Sequence, residues 1–215
     1  MIKIENTDVY GWEAAIRGLR NPMNSWSKSD SYWTHIENPE TLNTAPFQFF
    51  LGENDLKLMK SLSKAGNDHA KFLRMINVTC DITAPIYFLK EYDTYKIGTV
   101  ANSCSTMHTI HKKEFTLDDF SHEHLVGEAE KALNTMIEEL NFARIAYLET
   151  GDKEYWWELI QLLPSSYNQK RTVQLNYQVL KSMYFARKDH KLDEWHTFCK
   201  WIETLPYFCE ICLEE

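Results

Sequence analysis

The chain has 215 residues, 44% of them apolar and 13% aromatic, enough to bury a substantial core, so a single domain over residues 1–215 is expected. With 23 Lys and Arg against 31 Asp and Glu, the formal charge is −8, and without a long basic run this argues against binding nucleic-acid backbone or an anionic membrane. No apolar stretch approaches the roughly 20 residues of a membrane span, and the N-terminus lacks a basic region followed by an apolar one, so a cytoplasmic protein is expected.

Residues 1–20 read as a short strand, a turn at Tyr10-Gly11, and a helix whose apolar positions Trp12, Ala15, Ile16 and Leu19 recur at helical spacing until Asn21-Pro22. Residues 21–50 are rich in Ser, Asn, Pro and aromatics and show no sustained period, which predicts a long loop. Trp26, Tyr32 and Trp33 either stack on a planar ligand or pin that loop to the body of the protein. An amphipathic helix follows over Gly52–Lys64, stopped at Ala65-Gly66-Asn67, and His69–Arg74 leads into a strand-like run over Ile76–Ile82.

The stretch Asp81–His111 is the expected centre of function. It passes Pro85, carries aromatic and charged residues through Lys96, and ends in a hydroxyl-rich loop over Thr99–Thr106 that also holds Asn102 and Cys104. Loops dense in small polar donors behind a packed segment are where binding groups concentrate. Beyond it, helical patterns run over Ala129–Leu148, Glu154–Leu163, Arg171–Ala186 and Leu192–Leu205. There is no internal repeat and no low-complexity segment.

Two groups of spaced residues carry a resemblance. Pro85-Ile86-Tyr87-Phe88-Leu89-Lys90-Glu91-Tyr92, then Asp93-Thr94-Tyr95-Lys96, then Asn102-Ser103-Cys104-Ser105-Thr106-Met107-His108 resemble the signature region of the flavin-dependent thymidylate synthases, the ThyX family. That family has an apolar-Pro lead-in, a basic residue and Gln, an Arg-His-Arg triplet, a Ser, and Asn-Glu-x-Ser-x-Arg-Tyr. Leu163-Pro164, Asn176, Leu180, Arg187 and Glu194-Trp195 fall at nearly the family's spacing for a second set, with one residue inserted before Trp195.

The resemblance implies an α/β (α+β) fold with a central mixed sheet, long flanking helices and a homotetramer. It also implies FAD at subunit interfaces and transfer of a methylene to a pyrimidine nucleotide with reduced flavin as hydride source, the protein's part being position and charge. By the same resemblance, Glu91, Asn102, Ser103, Cys104, Ser105 and Arg187 stand on the nucleotide side. His69, Arg74, Thr94, Tyr95, Lys96, Thr99 and Asn176 stand on the flavin side.

Several chemical residues depart from the family pattern. Thr94-Tyr95-Lys96 replaces Arg-His-Arg, so two bidentate guanidinium forks become a hydroxyl and one ammonium. Glu91 replaces a Gln, and a carboxylate beside a phosphate is unfavourable unless it is paired or protonated. Met107 replaces a phosphate-binding Arg, or Thr106 does so if the loop has no insertion, and whether Ser105 or Cys104 faces the pocket depends on that register. Ile160 and Gln161 stand where another Arg is expected before Leu163-Pro164.

Plainer readings stand beside these. Asn176 can bond a neighbouring loop, and Arg187 is a cation of the kind favoured at a helix C-terminus. Cys104 is either a nucleophile or, more commonly for a lone cysteine, a buried inert thiol. His108 and His111, or His122 and His124, lack a second ligand pair for a metal and read as surface or capping residues. Cys80, Cys104, Cys199, Cys209 and Cys212 form no secreted disulfide framework, and Cys209-x-x-Cys212 is half a zinc site at best. The expectation is a divergent flavin- or nucleotide-binding member of altered substrate, against the alternative of a catalytically inactive scaffold serving as a binding or regulatory protein.

Overall fold

The computed structural model describes residues 2–35 and 47–214. Strand β1 (Lys3–Tyr10) leads through a turn at Gly11 into helix α1 (Trp12–Arg20). Strands β2 (Tyr32–His35) and β3 (Phe47–Phe50) pair with each other, and α2 (Glu53–Lys64) follows. Strand β4 (Asn77–Pro85) passes directly into α3 (Ile86–Tyr92), and β5 (Val100–Ser103) into the short α4 (Thr106–Thr109). Then come α5 (Glu128–Thr150), α6 (Lys153–Leu162), β6 (Asn168–Asn176), α7 (Tyr177–Arg187) and α8 (Asp193–Glu203).

The main sheet has the order β1-β4-β6-β5 with every pair antiparallel, which corrects the mixed sheet expected from the resemblance. Alternation along β4 turns Val78, Cys80, Ile82 and Ala84 into the core, each at most 1% exposed, as a half-buried strand requires. Its other face is polar. Asp81 there accepts from Asn6 Nδ2 (2.9 Å) and Thr172 Oγ1 (2.7 Å) and pairs with Lys170 (3.1 Å); Thr172, Asn6 and Lys170 together hold its carboxyl down at about 2.

Two apolar clusters fill the molecule. The larger lies under the sheet and joins α1, α2, α3, α7, α8 and the C-terminal turn, with Phe88 and Trp195 rings 4.7 Å apart at its centre. The smaller gathers Ile110, Phe115 and Phe120 against Leu133, Ile137, Leu140 and Ala143 of α5 and Leu159 of α6. Residues 165–167 bridge them: Ser165 O accepts from Tyr87 N, Tyr167 O from Ile86 N, and Ser166 O from Ser121 N.

The helix expected over Arg171–Ala186 is corrected here. Residues 168–176 form β6, and only Tyr177–Arg187 is helical. The run alternates, with Thr172 and Gln174 outward and Val173 and Leu175 buried, so a period of two precedes a period of 3.6. β6, like β4, has a partner on each side in the sheet. Asn176, expected inside that helix, ends the strand and caps α7, its Oδ1 accepting from Val179 N at 3.0 Å.

The segment expected to be a loop over 21–50 contains β2 and β3, while its residues 36–46 lie outside the described residues. Its first part is tied down by Asp55, whose carboxylate is fully buried. It accepts from Arg20 Nε (2.6 Å), the Ser29 and Ser31 hydroxyls (2.7 Å each) and the amides of Asp30 and Ser31 (3.2 Å each). The aromatics of this segment are engaged within the chain. Tyr32 stacks on Phe50 at 5.6 Å, Trp33 meets Phe49 at 5.2 Å, and Trp26 Nε1 donates to Asn21 Oδ1.

Candidate functional site

Three pieces of chain meet around a cavity of about 430 Å³, within the size range of small-molecule sites, about 300–1,000 Å³. Arg74 comes from the turn before β4, Thr94 to Gly98 from the loop after α3, and Asn176, Gln178, Val179 and Ser182 from the start of α7. The antiparallel β4–β6 ladder sets this meeting, because it pairs Asn77 with Asn176 and so brings the segment before β4 beside the beginning of α7.

The loop is held in place locally. Thr94 N bonds Glu91 O, Tyr95 N bonds Tyr92 O, and Thr99 Oγ1 donates to Tyr95 O at 2.6 Å. Arg171 Nη1 donates to Asp93 Oδ1 at 2.6 Å, fastening the loop's root to β6. Gly98 adopts φ +78°, and a Cβ there would lie 2.8 Å from Asn176 Nδ2. Only glycine allows both that backbone and the approach of Asn176, which donates to Gly98 O at 3.4 Å.

Electrostatically the cavity inverts the chain as a whole. Its charged lining residues are Arg74 and Lys96, in a protein of formal charge −8. Neither forms an ion pair with another described residue. The first turn of α7 also opens here; Ile76 O and Asn176 Oδ1 already take the N–H groups of Tyr177 and Val179, so what this helix start adds is the positive end of its dipole. Ile97 and Val179 add apolar wall. Such a lining suits a ligand that combines an anionic group with a flat apolar part.

Tyr95 connects this cavity to a second constellation. Its hydroxyl accepts from Arg187 Nε at 2.9 Å, and the guanidinium lies 5.6 Å from the Tyr95 ring and 4.9 Å from that of Trp195. Arg187 Nη1 donates to Glu91 Oε2 at 2.8 Å; Trp195 Nε1 donates to the same oxygen at 3.2 Å, and His190 Nε2 lies 3.2 Å from it. The carboxylate that sequence reasoning found unfavourable unless paired is thus paired, with the arginine expected to meet a nucleotide. The guanidinium's fork is directed inward at the protein's own groups.

The expected flavin-side residues divide in a simple way. Arg74, Thr94, Tyr95, Lys96 and Asn176 line one cavity, whereas His69 and Thr99 do not. His69 precedes the turn over 70–74 and is exposed, and Thr99 closes the loop from behind. Sequence reasoning missed Gln178, Val179 and Ser182, because the helix register was started six residues early. Counted from the cap at Asn176, Val179 and Ser182 follow at the three-residue spacing of one helix face.

The expected nucleotide-side residues fall in separate places in this chain, with Glu91 and Arg187 paired beside Tyr95 and the others on β5 and beyond it. Asn102 and Ser103 lie exposed on β5, opposite Thr172 and Arg171. Cys104 and Ser105 both line a smaller cavity of about 200 Å³ beyond the far end of β5, so the loop-register alternative does not decide which of them faces it. Ser105 caps α4 by accepting from His108 N at 3.1 Å. Lys113 and Lys170 in that cavity are answered by Asp119 and Asp81. Cys104, more commonly read as a buried thiol, is exposed, because β5 is the edge strand and the chain leaves the sheet there.

No protein-family model matches the chain, and no curated protein matches it. Solved structures do. A crystal structure of Thymidylate Synthase X (ThyX) from Helicobacter pylori with FAD and dUMP superposes with a TM-score of 0.69 at 16% identity, over 99% of this chain and 98% of that one. A second, of the flavin-dependent thymidylate synthase ThyX from Helicobacter pylori complexed with FAD and dUMP, gives 0.69 at 17% identity over 99% and 100%. At this identity the likeness establishes the fold, a mixed α/β fold of the ThyX kind, over the full length of the chain.

Proposed function

We propose that a chain of ThyX-like fold, a single domain over its 215 residues, binds a flavin nucleotide, with FAD as the first candidate, in the 430 Å³ cavity, and acts on a small pyrimidine-like ligand beside it. The observation that carries this reading is the cavity's charge. Two cations without ion-pair partners among the described residues meet a helix N-terminus inside an acidic protein, and a diphosphate would be neutralised there. The wall of Tyr95, Ile97 and Val179 gives a ring system an apolar surface. The same fold in the H. pylori structures is found with FAD and dUMP.

The residues would divide the work as follows. Arg74 and Lys96 hold the anionic part, Asn176 fixes the first turn of α7, and Gly98 lets the loop lie against it. A bound flavin would supply hydride chemistry, and the chain's part would be to orient a ligand against it and exclude water. One-carbon transfer to a nucleotide is the reaction class this arrangement would serve.

The test is a visible absorption spectrum of the purified protein, followed by titration with FAD. Flavin bands or saturable uptake are expected, and Lys96→Ala and Arg74→Ala should each weaken affinity about tenfold, the loss that accompanies one charge-assisted contact. A colourless protein with no uptake would refute the reading. One observation favours the alternative, a catalytically inactive scaffold that serves as a binding or regulatory protein: Arg187, the cation best placed near Tyr95 to meet a second anion, is already held by Glu91. Turnover with a methylene donor and either dUMP or the corresponding uncharged nucleoside separates the two.

Self-association into a homotetramer belongs to the same proposal. Helix α5 buries Leu133, Ile137, Leu140 and Ala143 but leaves Phe142, Ile145 and Leu148 about half or more exposed. A second apolar stripe at three-residue spacing supports a contact with another copy.

A further inference from the structure

Arg187, Trp195, His190 and Tyr95 form a preassembled anion receptor whose occupant is a side chain of the same protein. Guanidinium, indole N–H and imidazole converge on a single oxygen, Glu91 Oε2, at 2.8, 3.2 and 3.2 Å. The guanidinium is fixed edge-on by the Tyr95 hydroxyl and covered by the Trp195 ring. Arginine between an aromatic face and a carboxylate is held in the geometry that also grips phosphate. The cluster is open to water, with side-chain exposures of 37% for Glu91, 19% for Arg187 and 23% for His190. A free anion could therefore reach it if the carboxylate were not there.

We propose that Glu91 is a specificity-determining residue: a tethered carboxylate that occupies the Arg187 receptor and so confines a ligand's negative charge to the Arg74 and Lys96 side of the cavity. This rests on the reading of that cavity as a ligand site. The tethered group competes at an effective concentration set by the fold that links it to the receptor, whatever the phosphate concentration outside. A phosphate brought against the occupied pair would meet a like charge across a short distance. The ligand group seated beyond Tyr95 is accordingly uncharged or cationic, as in a free base or nucleoside, whereas a monophosphate is turned away.

The experiment uses inorganic phosphate as the probe on the full-length protein, with binding read by calorimetry and by the shift in melting temperature. Wild type and Arg187→Gln should respond to phosphate alike, because Arg187 is unavailable in both. Glu91→Gln keeps the shape and loses the charge, and should bind phosphate at least about tenfold more tightly. The gain should vanish in the Glu91→Gln/Arg187→Gln double variant.

A Glu91→Gln protein with native near-ultraviolet circular dichroism and no gain overturns the proposal. So does a wild-type phosphate affinity that falls on Arg187→Gln, a comparison that stands even if the Glu91 variant does not fold. Titration of wild type with FAD is read separately. Its failure would remove the flavin reading and leave the phosphate result to decide the role of Glu91.

Discussion

Asp55 shows at the scale of one residue how this chain stabilises a buried charge. Burial pushes its carboxyl up, but the Ser31 and Ser29 hydroxyls and the Arg20 guanidinium outweigh it and hold the group below its ordinary value. A carboxyl depressed in the folded state contributes stability that is fully present above the unfolded value, about 4, and is lost as pH falls through the folded one. Asp55→Asn should therefore cost about 3 kcal/mol or more near neutrality by leaving Arg20 uncompensated. It should also flatten the acid limb of a stability-against-pH curve below about pH 4; a variant with the wild-type acid limb would show that the protons are taken up elsewhere. The sequence marked Arg74, Thr94, Tyr95, Lys96 and Asn176 as one group through resemblance to a known pattern. It could not show that Glu91 and Arg187 bind each other, because 96 positions separate them and only the packing of α3 against α7 and α8 makes them neighbours.

Among the elements, the amphipathic helices were legible and the sheet was only half so. The expected helix over Ala129–Leu148 is α5 within two residues at each end, since its apolar period is long and ends at Gly151, in a left-handed conformation. β6 was not legible as a strand, because Val173, Leu175, Val179, Leu180 and Met183 also fit a helical stripe when the alternation of residues 170–176 is passed over. Its double pairing, Val173 to Cys80 on one side and to Ala101 on the other, is tertiary and overrides local preference. α5 also carries the prediction for this scale. Replacing Phe142, Ile145 and Leu148 together by Ser should leave helicity intact and lower the solution mass measured by light scattering. An unchanged mass would mean that this stripe takes no part in assembly.

Over the whole molecule, two apolar clusters are joined through residues 165–167, and the cavity lies at the larger one, on the side of the sheet reached by both the loop after α3 and the start of α7. Composition indicated a substantial core within one domain, and it could not show that the core divides in two, so the smaller cluster went unseen. Its members Ile110, Phe115 and Phe120 come from short turns with no period to read. None of the helices in the described residues is long and apolar enough to cross a membrane.

The same layering sorts the five thiols by depth. Cys104 stands exposed at the end of the edge strand, Cys209 is half-buried with its thiol donating to Glu203 O, and Cys80, Cys199 and Cys212 lie in the interior. Burial pushes Cys80 and Cys212 up to about 12 and Cys199 to about 11, which leaves them almost without the thiolate that reacts. Mixed with a chromogenic disulfide at neutral pH, the native protein should release one rapid equivalent from Cys104, abolished by Cys104→Ser, and a slower one from Cys209. The remaining three should appear only as fast as the fold opens, and their prompt reaction would contradict the burial described above. The protein thus carries its own chronometer, with an addressable point for a fluorophore in the lining of the smaller cavity and three interior sulfurs whose release times the opening of the core.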